Sequence, residues 1–397
     1  MSLCHTASRW RSVRCTGGVP PGRIGHTLCA NAVETKVFLY GGVNDKNESI
    51  SNYLDDFYVF DVETKRWTAI EMTGQVQSSR AFHSAVYYEG QIYVFGGCNG
   101  RGRFNKLFSI SEDGRCQPIT ANSPPPTTRY CHSAVLFEKK MYIFAGKCGG
   151  RNSNRRLSDL FAFDFTRNTW EECPQHGNKP VARSAHAAFT CGRNMIMFGG
   201  RNAGGECCED MYAYNYDTGI WRKIESPNNG SLFGRARNSV VVHHGRVVVF
   251  GGWNGKKKLN DLFMYSVDSN TLEMMHEPDD KCPSRRECHV AVVCKNTMVV
   301  FGGRFRGEFM SDTAELDLGP KTLKQSCRDW ILRSGFKESY PNRQGQLLPL
   351  RLQQFIESWR SLTSRAQKDE PQTPLQDSNV PVEVLSSESN SQHGGGE

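Results

Sequence analysis

Six arginines recur with a polar companion three residues on: Arg23/His26, Arg80/His83, Arg129/His132, Arg183/His186, Arg235/Asn238 and Arg286/His289. A guanidinium presents a planar fork of donors that matches a carboxylate in two-point fashion, so this residue type suits recognition of acidic groups. Other reactive types are numerous but poorly spaced for catalysis. There are 15 cysteines, an odd number, and none form a CxxC pair. The clusters Cys207/Cys208 and Cys282/Cys288/His289/Cys294 lack zinc spacing, and free cysteine behaves as a small apolar residue. No Ser-His-Asp arrangement, phosphate loop or Walker motif stands out, so the chain is expected not to be an enzyme and to need no cofactor or metal.

The segments that must position these residues repeat. Diglycine turns, or a close variant, stand at Gly41-Gly42, Gly96-Gly97, Ala145-Gly146, Gly199-Gly200, Gly251-Gly252 and Gly302-Gly303, at steps of 49 to 55 residues. Each ends an apolar run such as VFLYGG or VVVFGG, rich in β-branched and aromatic residues, which reads as a buried strand. Downstream of each lies a turn acid or amide before an alternating strand (DDFYVFD, NKLFSI, SDLFAFD, EDMYAYN, NDLFMYS, SDTAELD). A Trp strand closes the unit at Trp67, Trp170 and Trp221, with Cys116 and Leu272 at the degenerate copies. Four strands per unit of about 50 residues make one propeller blade.

These motifs resemble the kelch-repeat family, over residues 9–318. The sixth copy stops at ELDLG without its Trp strand, while Trp10-Arg11-Ser12-Val13 is an orphan copy near the start. The expected fold is therefore all-β: a six-bladed kelch propeller over residues 1–320, closed by its N-terminal strand. Such closure hides two sheet edges. In kelch receptors the repeated arginine points into the propeller mouth and grips acidic side chains or a terminal carboxylate. The resemblance assigns that role to Arg23, Arg80, Arg129, Arg183, Arg235 and Arg286, with Tyr130 and Ser184 beside them. The alternative for each arginine is a pair with an acid of its own repeat. Arg201, Arg304 and Arg306, just past diglycines, are further candidates. Histidines spread around a ring cannot meet on one metal, so a shared structural hydrogen bond is expected for them. Plant specifier proteins, which are kelch propellers, hold iron on Glu-x-x-x-Asp-x-x-x-His. Here Glu206, Asp210 and Tyr214 keep the spacing and lack the histidine.

Beyond the repeats, Leu323, Cys327, Trp330 and Ile331 form one helical stripe, and Leu352, Phe355, Ile356, Trp359 and Leu362 form a second after Pro349. A short helical hairpin over 321–362 is expected. The segment 322–331 resembles the BC-box that binds elongin-B/C, which implies adaptor contacts for Leu323, Cys327 and Ile331. The following stretch resembles a cullin box, which implies roles for Pro349, Leu352, Phe355 and Ile356 and leaves the VHL-box and SOCS-box types open. The hairpin could equally cap the propeller. Residues 363–397, rich in Ser, Gln, Pro and acid, read as a disordered tail.

Charge is unevenly spread. The formal net charge is +8, yet from residue 361 onward acids outnumber bases, so the repeats carry the positive excess. Basic runs at Lys256-Lys257-Lys258 and around Arg151, Arg155 and Arg156 lie on expected loops without a nucleic-acid motif, and solvated charge is their simplest reading. No apolar stretch approaches the ~20 residues of a membrane span, and the opening MSLCHTASRW has no apolar signal region. With its unpaired thiols the chain is expected in the cytoplasm or nucleus. The reading is a protein-interaction module, the substrate receptor of a cullin–RING ubiquitin ligase that takes an acidic or carboxylate-ended segment. A plain kelch scaffold is the alternative.

Overall fold

In the computed structural model the described residues are 10–44, 52–149, 155–225, 234–267, 269–275 and 282–319. They build six sheets, one per repeat, each around four antiparallel strands. The second blade is typical: Ser84–Tyr88, Gln91–Phe95, Leu107–Ser111 and Arg115–Ile119 follow one another outward. The expected helical hairpin and tail, with Leu323, Cys327, Ile331, Pro349, Leu352, Phe355 and Ile356, lie outside the described residues. No helix among the described residues is long and apolar enough to cross a membrane.

The sequence pattern explains the layering. The second strand of each blade is sheathed by neighbouring blades on both faces, so runs such as Lys36–Val43 are buried along nearly their whole length. That is why these strands read as continuous apolar stretches. The outer strands alternate, burying the tryptophan and exposing its neighbours. Each tryptophan leans on a phenylalanine of the preceding blade: Trp170 on Phe95, Trp221 on Phe144 and Trp67 on Phe301, with ring centroids 4.8–5.1 Å apart. At the degenerate copies Cys116 packs in one cluster with Tyr40, and Leu272 with Phe198.

Closure is made as the orphan strand implies. Trp10–Val13 pairs antiparallel with Thr313–Asp317, in register Trp10 to Leu316 through Val13 to Thr313. Trp10 is buried and packs at a tilt against Phe250 of the fifth blade, 4.8 Å between centroids. Across the seam, Trp67 Nε1 donates to Thr313 Oγ1 at 3.2 Å and Lys65 pairs with Glu315. A further junction was not legible in the motifs. Short Thr-Gly or His-Gly segments at Thr16–Gly17, Thr73–Gly74 and His176–Gly177 run parallel to the outer strand of the next blade. A Cβ on Gly17 would lie 2.2 Å from the Trp67 carbonyl, so only glycine permits the strap.

Because Trp10 fills a slot made by the fifth and sixth blades, Trp10→Ala should lower stability by about 3–5 kcal/mol. A urea unfolding midpoint equal to that of the parent protein would contradict closure by this strand.

Candidate binding site: a cationic propeller mouth

The six repeated arginines are at most 1% exposed. Each Nη1 donates to the carbonyl of its own diglycine turn (Gly41, Gly96, Ala145, Gly199, Gly251, Gly302) at 2.9–3.2 Å. In five blades the fork also closes on the repeat's own turn acid: Arg23 on Asp56, Arg129 on Asp159, Arg183 on Asp210, Arg235 on Asp261 and Arg286 on Asp312. All ten contacts span 2.5–3.0 Å. The arginine carbonyls are used as well. Those of Arg80, Arg129, Arg235, Arg286 and Arg23 accept from the second glycine of the preceding blade. Arg23, Arg80, Arg129, Arg183, Arg235 and Arg286 are thus spent on holding blades and do not reach into the mouth, which corrects the role drawn from the resemblance. Asp210 is committed to Arg183, and Glu206 accepts from Asn202 instead. No metal-holding group of side chains occurs among the described residues.

Between each arginine and its histidine the chain takes a left-handed turn. Gly25, Phe82, Cys131, Ala185, Arg237 and Cys288 all have φ between 54° and 66°. Their backbones link blade to blade around the hub: Phe82 N–H to Gly25, Cys131 to Phe82, Ala185 to Cys131, Arg237 to Ala185 and Cys288 to Arg237, at 2.7–2.9 Å. Behind this ring the histidines form a second set of inter-blade bonds. His83, His132, His186 and His289 each place Nε2 2.8–3.0 Å from a hydroxyl of the blade before, on Thr27, Ser84, Ser133 and Ser239. His289 Nε2 also lies 3.1 Å from the Phe250 carbonyl, which can only accept, so that nitrogen carries the proton. Ala187 and Val290 offer no hydroxyl to Asn238 and His26, and no such bond forms there.

The mouth itself is a cavity of about 770 Å³. Tyr130 and Ser184 are among its lining residues. Its cations are different ones: Arg101, Arg103, Lys147, Arg156, Arg201 and Arg237, with no carboxylate in the lining among the described residues. The geometry follows from one local rule. The residue after each diglycine pairs with the residue after each repeated arginine, which sets Lys147 beside Tyr130 and Arg201 beside Ser184 at the rim. Tyr130 then lies under two cations, Arg103 at 5.0 Å and Lys147 at 5.9 Å from the ring centroid, and Arg201 stacks on Trp253 at 4.9 Å. Arg304 also follows a diglycine, but it turns to Glu287.

Burial lowers the Lys147 ammonium below its ordinary pKa, and Arg156, Arg201 and Arg237 press in the same direction. Burial and then Arg201 lower Arg156. These groups therefore repel one another across the cavity and would be relieved by an anion. Under the rim Glu287, 4% exposed, accepts from Arg237 at 2.8 Å and Arg304 at 3.1 Å and lies 3.4 Å from Lys258. Burial alone would raise its pKa, but Arg237 and the other two cations pull it below the ordinary range. Sequence reasoning missed Arg101, Arg103, Lys147 and Arg237, and treated Arg156 as solvated. The position just past each diglycine was the available signal for Lys147, as it was for Arg201.

A ring of blades stapled through Arg-x-x-His segments, with an open polar mouth, defines a kelch propeller. The chain belongs to the KLHDC2/KLHL20/DRC7 kelch-repeats domain family, whose model matches residues 2–148 and 131–329. It is 32% identical over 302 residues to the human leucine-zipper-like transcriptional regulator 1, covering 72% of this chain and 35% of the relative. The Drosophila melanogaster homologue of that regulator is 29% identical over 321 residues, 75% of this chain and 31% of its own length. Rat kelch domain-containing protein 3 is 29% identical over 345 residues, 81% of this chain and 74% of the relative. The chain thus spans about a third of the length of the regulators it matches.

The histidine ladder makes an acid-sensitive hub. Burial depresses His83, His186 and His289 to about 3, from an ordinary value of 6.5, and the repeat's own arginine adds to the shift. A depressed folded value means the unfolded chain takes up the proton first, so stability is full above pH ~6.5 and drains as pH falls towards ~3. Each histidine should contribute a slope of up to about 1.4 kcal/mol per pH unit. Urea midpoints should fall between pH 6.5 and 4.5. A flat profile across that window would refute the assignment.

Proposed function

We propose that this chain is a non-catalytic recognition module whose propeller mouth captures an acidic or carboxylate-ended segment of a partner protein. The observation that carries this reading is a cavity whose described lining holds six cationic side chains and no acid. An incoming carboxylate would meet fixed donors whose mutual repulsion it relieves, in a concavity that concentrates their field. Tyr130 and Trp253 hold Arg103, Lys147 and Arg201 by their ring faces, so little side-chain freedom is lost on binding. The buried arginines serve this function indirectly, by keeping the rim residues in place.

Arg201→Glu and Lys147→Glu should each weaken binding of acid-ended peptides about tenfold or more, with melting temperatures little changed. Amidating the peptide terminus or raising the salt should weaken binding to the parent protein. Equal affinity for amidated and free-acid peptides would remove the mouth reading.

For the wider assembly, the BC-box resemblance of 322–331 supports a link to elongin-B/C and a cullin–RING ubiquitin ligase, which would act on the captured partner by proximity. Elongin C should co-purify with the full chain and be lost with Leu323→Ala together with Cys327→Ala. Retention in the double variant would leave a kelch scaffold without a ligase.

A further inference from the structure

The second blade departs from the other five. Lys106 occupies the register at which Asp56, Asp159, Asp210, Asp261 and Asp312 answer their arginines. Arg80 keeps its backbone acceptors, the Ser78 and Gly96 carbonyls, each at 3.0 Å. In place of a carboxylate it has two rings, Phe104 at 4.5 Å and Phe108 at 4.7 Å from the guanidinium carbon. The other blades also set a ring beside their arginine in four cases (Tyr58, Phe161, Tyr212, Phe263), so Phe104 is the addition peculiar to this blade. Arg80 is 1% exposed, a buried cation that no carboxylate of its own blade neutralises.

Phe104, the ring over Arg80, is also a wall of a second cavity, of about 570 Å³, lined by Asp55, Ser78, Ser79, Asn99, Arg101 and Gly102. Asn99, Arg101 and Gly102 line the mouth as well. The turn over 99–102 is thus a ridge with one cavity on each side. It is held rigidly: Asn99 Oδ1 accepts from the backbone of Arg101 and Gly102, and Asn99 Nδ2 donates to the Ser79 carbonyl at 3.1 Å. Among the described residues the lining holds one acid, Asp55, and one cation, Arg101; Arg80 lies behind the Phe104 wall, and Lys106, two residues beyond Phe104, is exposed.

We propose that this cavity is a second carboxylate subsite. A segment with its acidic end in the mouth leaves over the 99–102 ridge and sets the side chain of an upstream Asp or Glu against Arg101, in the field of Arg80 and Lys106. The subsite rests on the mouth reading above. It makes the ligand a segment with two separated negative charges and gives it one direction of exit, between the first and second blades.

The test uses the full chain and fluorescent peptides of about ten residues, reaching ~33 Å when extended. Each has a free acidic terminus and a Gly/Ser body through which a single Glu is walked. One window of positions should bind about fivefold tighter than the neutral body. Lys106→Asp, which supplies the acid that five blades already carry, should erase that gain and leave affinity for the neutral-bodied peptide unchanged. A profile flat in Glu position, or a gain that survives Lys106→Asp, overturns the subsite alone. Failure of every peptide to bind overturns the mouth and the subsite with it.

Discussion

A buried guanidinium needs its donors answered, and this propeller is organised around meeting that need, five times with a carboxylate and once, at Arg80, with backbone carbonyls and rings. The side chain of each repeated arginine locks a diglycine turn and, in five blades, a turn acid, so three strands of a blade converge on one group. The carbonyl of the same residue takes the glycine N–H of the preceding blade. Removing one member of such a pair leaves a charge without water or counter-ion, which costs several kcal/mol. The diglycine must stay small for the same reason: a Cβ on Gly41 would stand 2.9 Å from the Arg80 carbonyl, and one on Gly96 2.7 Å from that of Arg129. Ala145 takes the left-handed conformation at φ 58° where the other blades use glycine.

Most of the architecture could be read from the residues because its signals are backbone constraints. Glycine pairs mark positive φ, tryptophans mark the outer strand, and the orphan Trp10 strand had one vacancy to fill. The site was harder to read because it depends on where side chains end. Arginine at a repeated position suits a ligand carboxylate and an internal one equally well, and Asp56, Asp159, Asp210, Asp261 and Asp312 lie 26 to 33 residues downstream, where they read as turn formers. Arg237 and Arg103 stand at positions that other blades fill with unrelated residues, such as Ala185 or Cys288 opposite Arg237. No repeat pattern could announce them.

The division of labour follows from dielectric environment. Five of the six structural arginines are sealed against carboxylates of their own chain. The cations left at the rim keep contact with water and with one another, so their charge remains available. Glu287 lies between these classes, a buried acid that steadies Arg237 from beneath without neutralising the whole rim.

The seam between the first and last repeats has a temporal side. Trp10–Val13 leaves the ribosome some 300 residues ahead of Thr313–Asp317, the only strand it pairs with among the described residues. At ordinary elongation rates that delay is on the order of tens of seconds. Throughout it, a tryptophan-bearing edge must wait while every intervening sheet is made. Assembly of the ring thus spans the whole repeat array, in which a strand synthesised ahead of the other blade strands is the last to find its place.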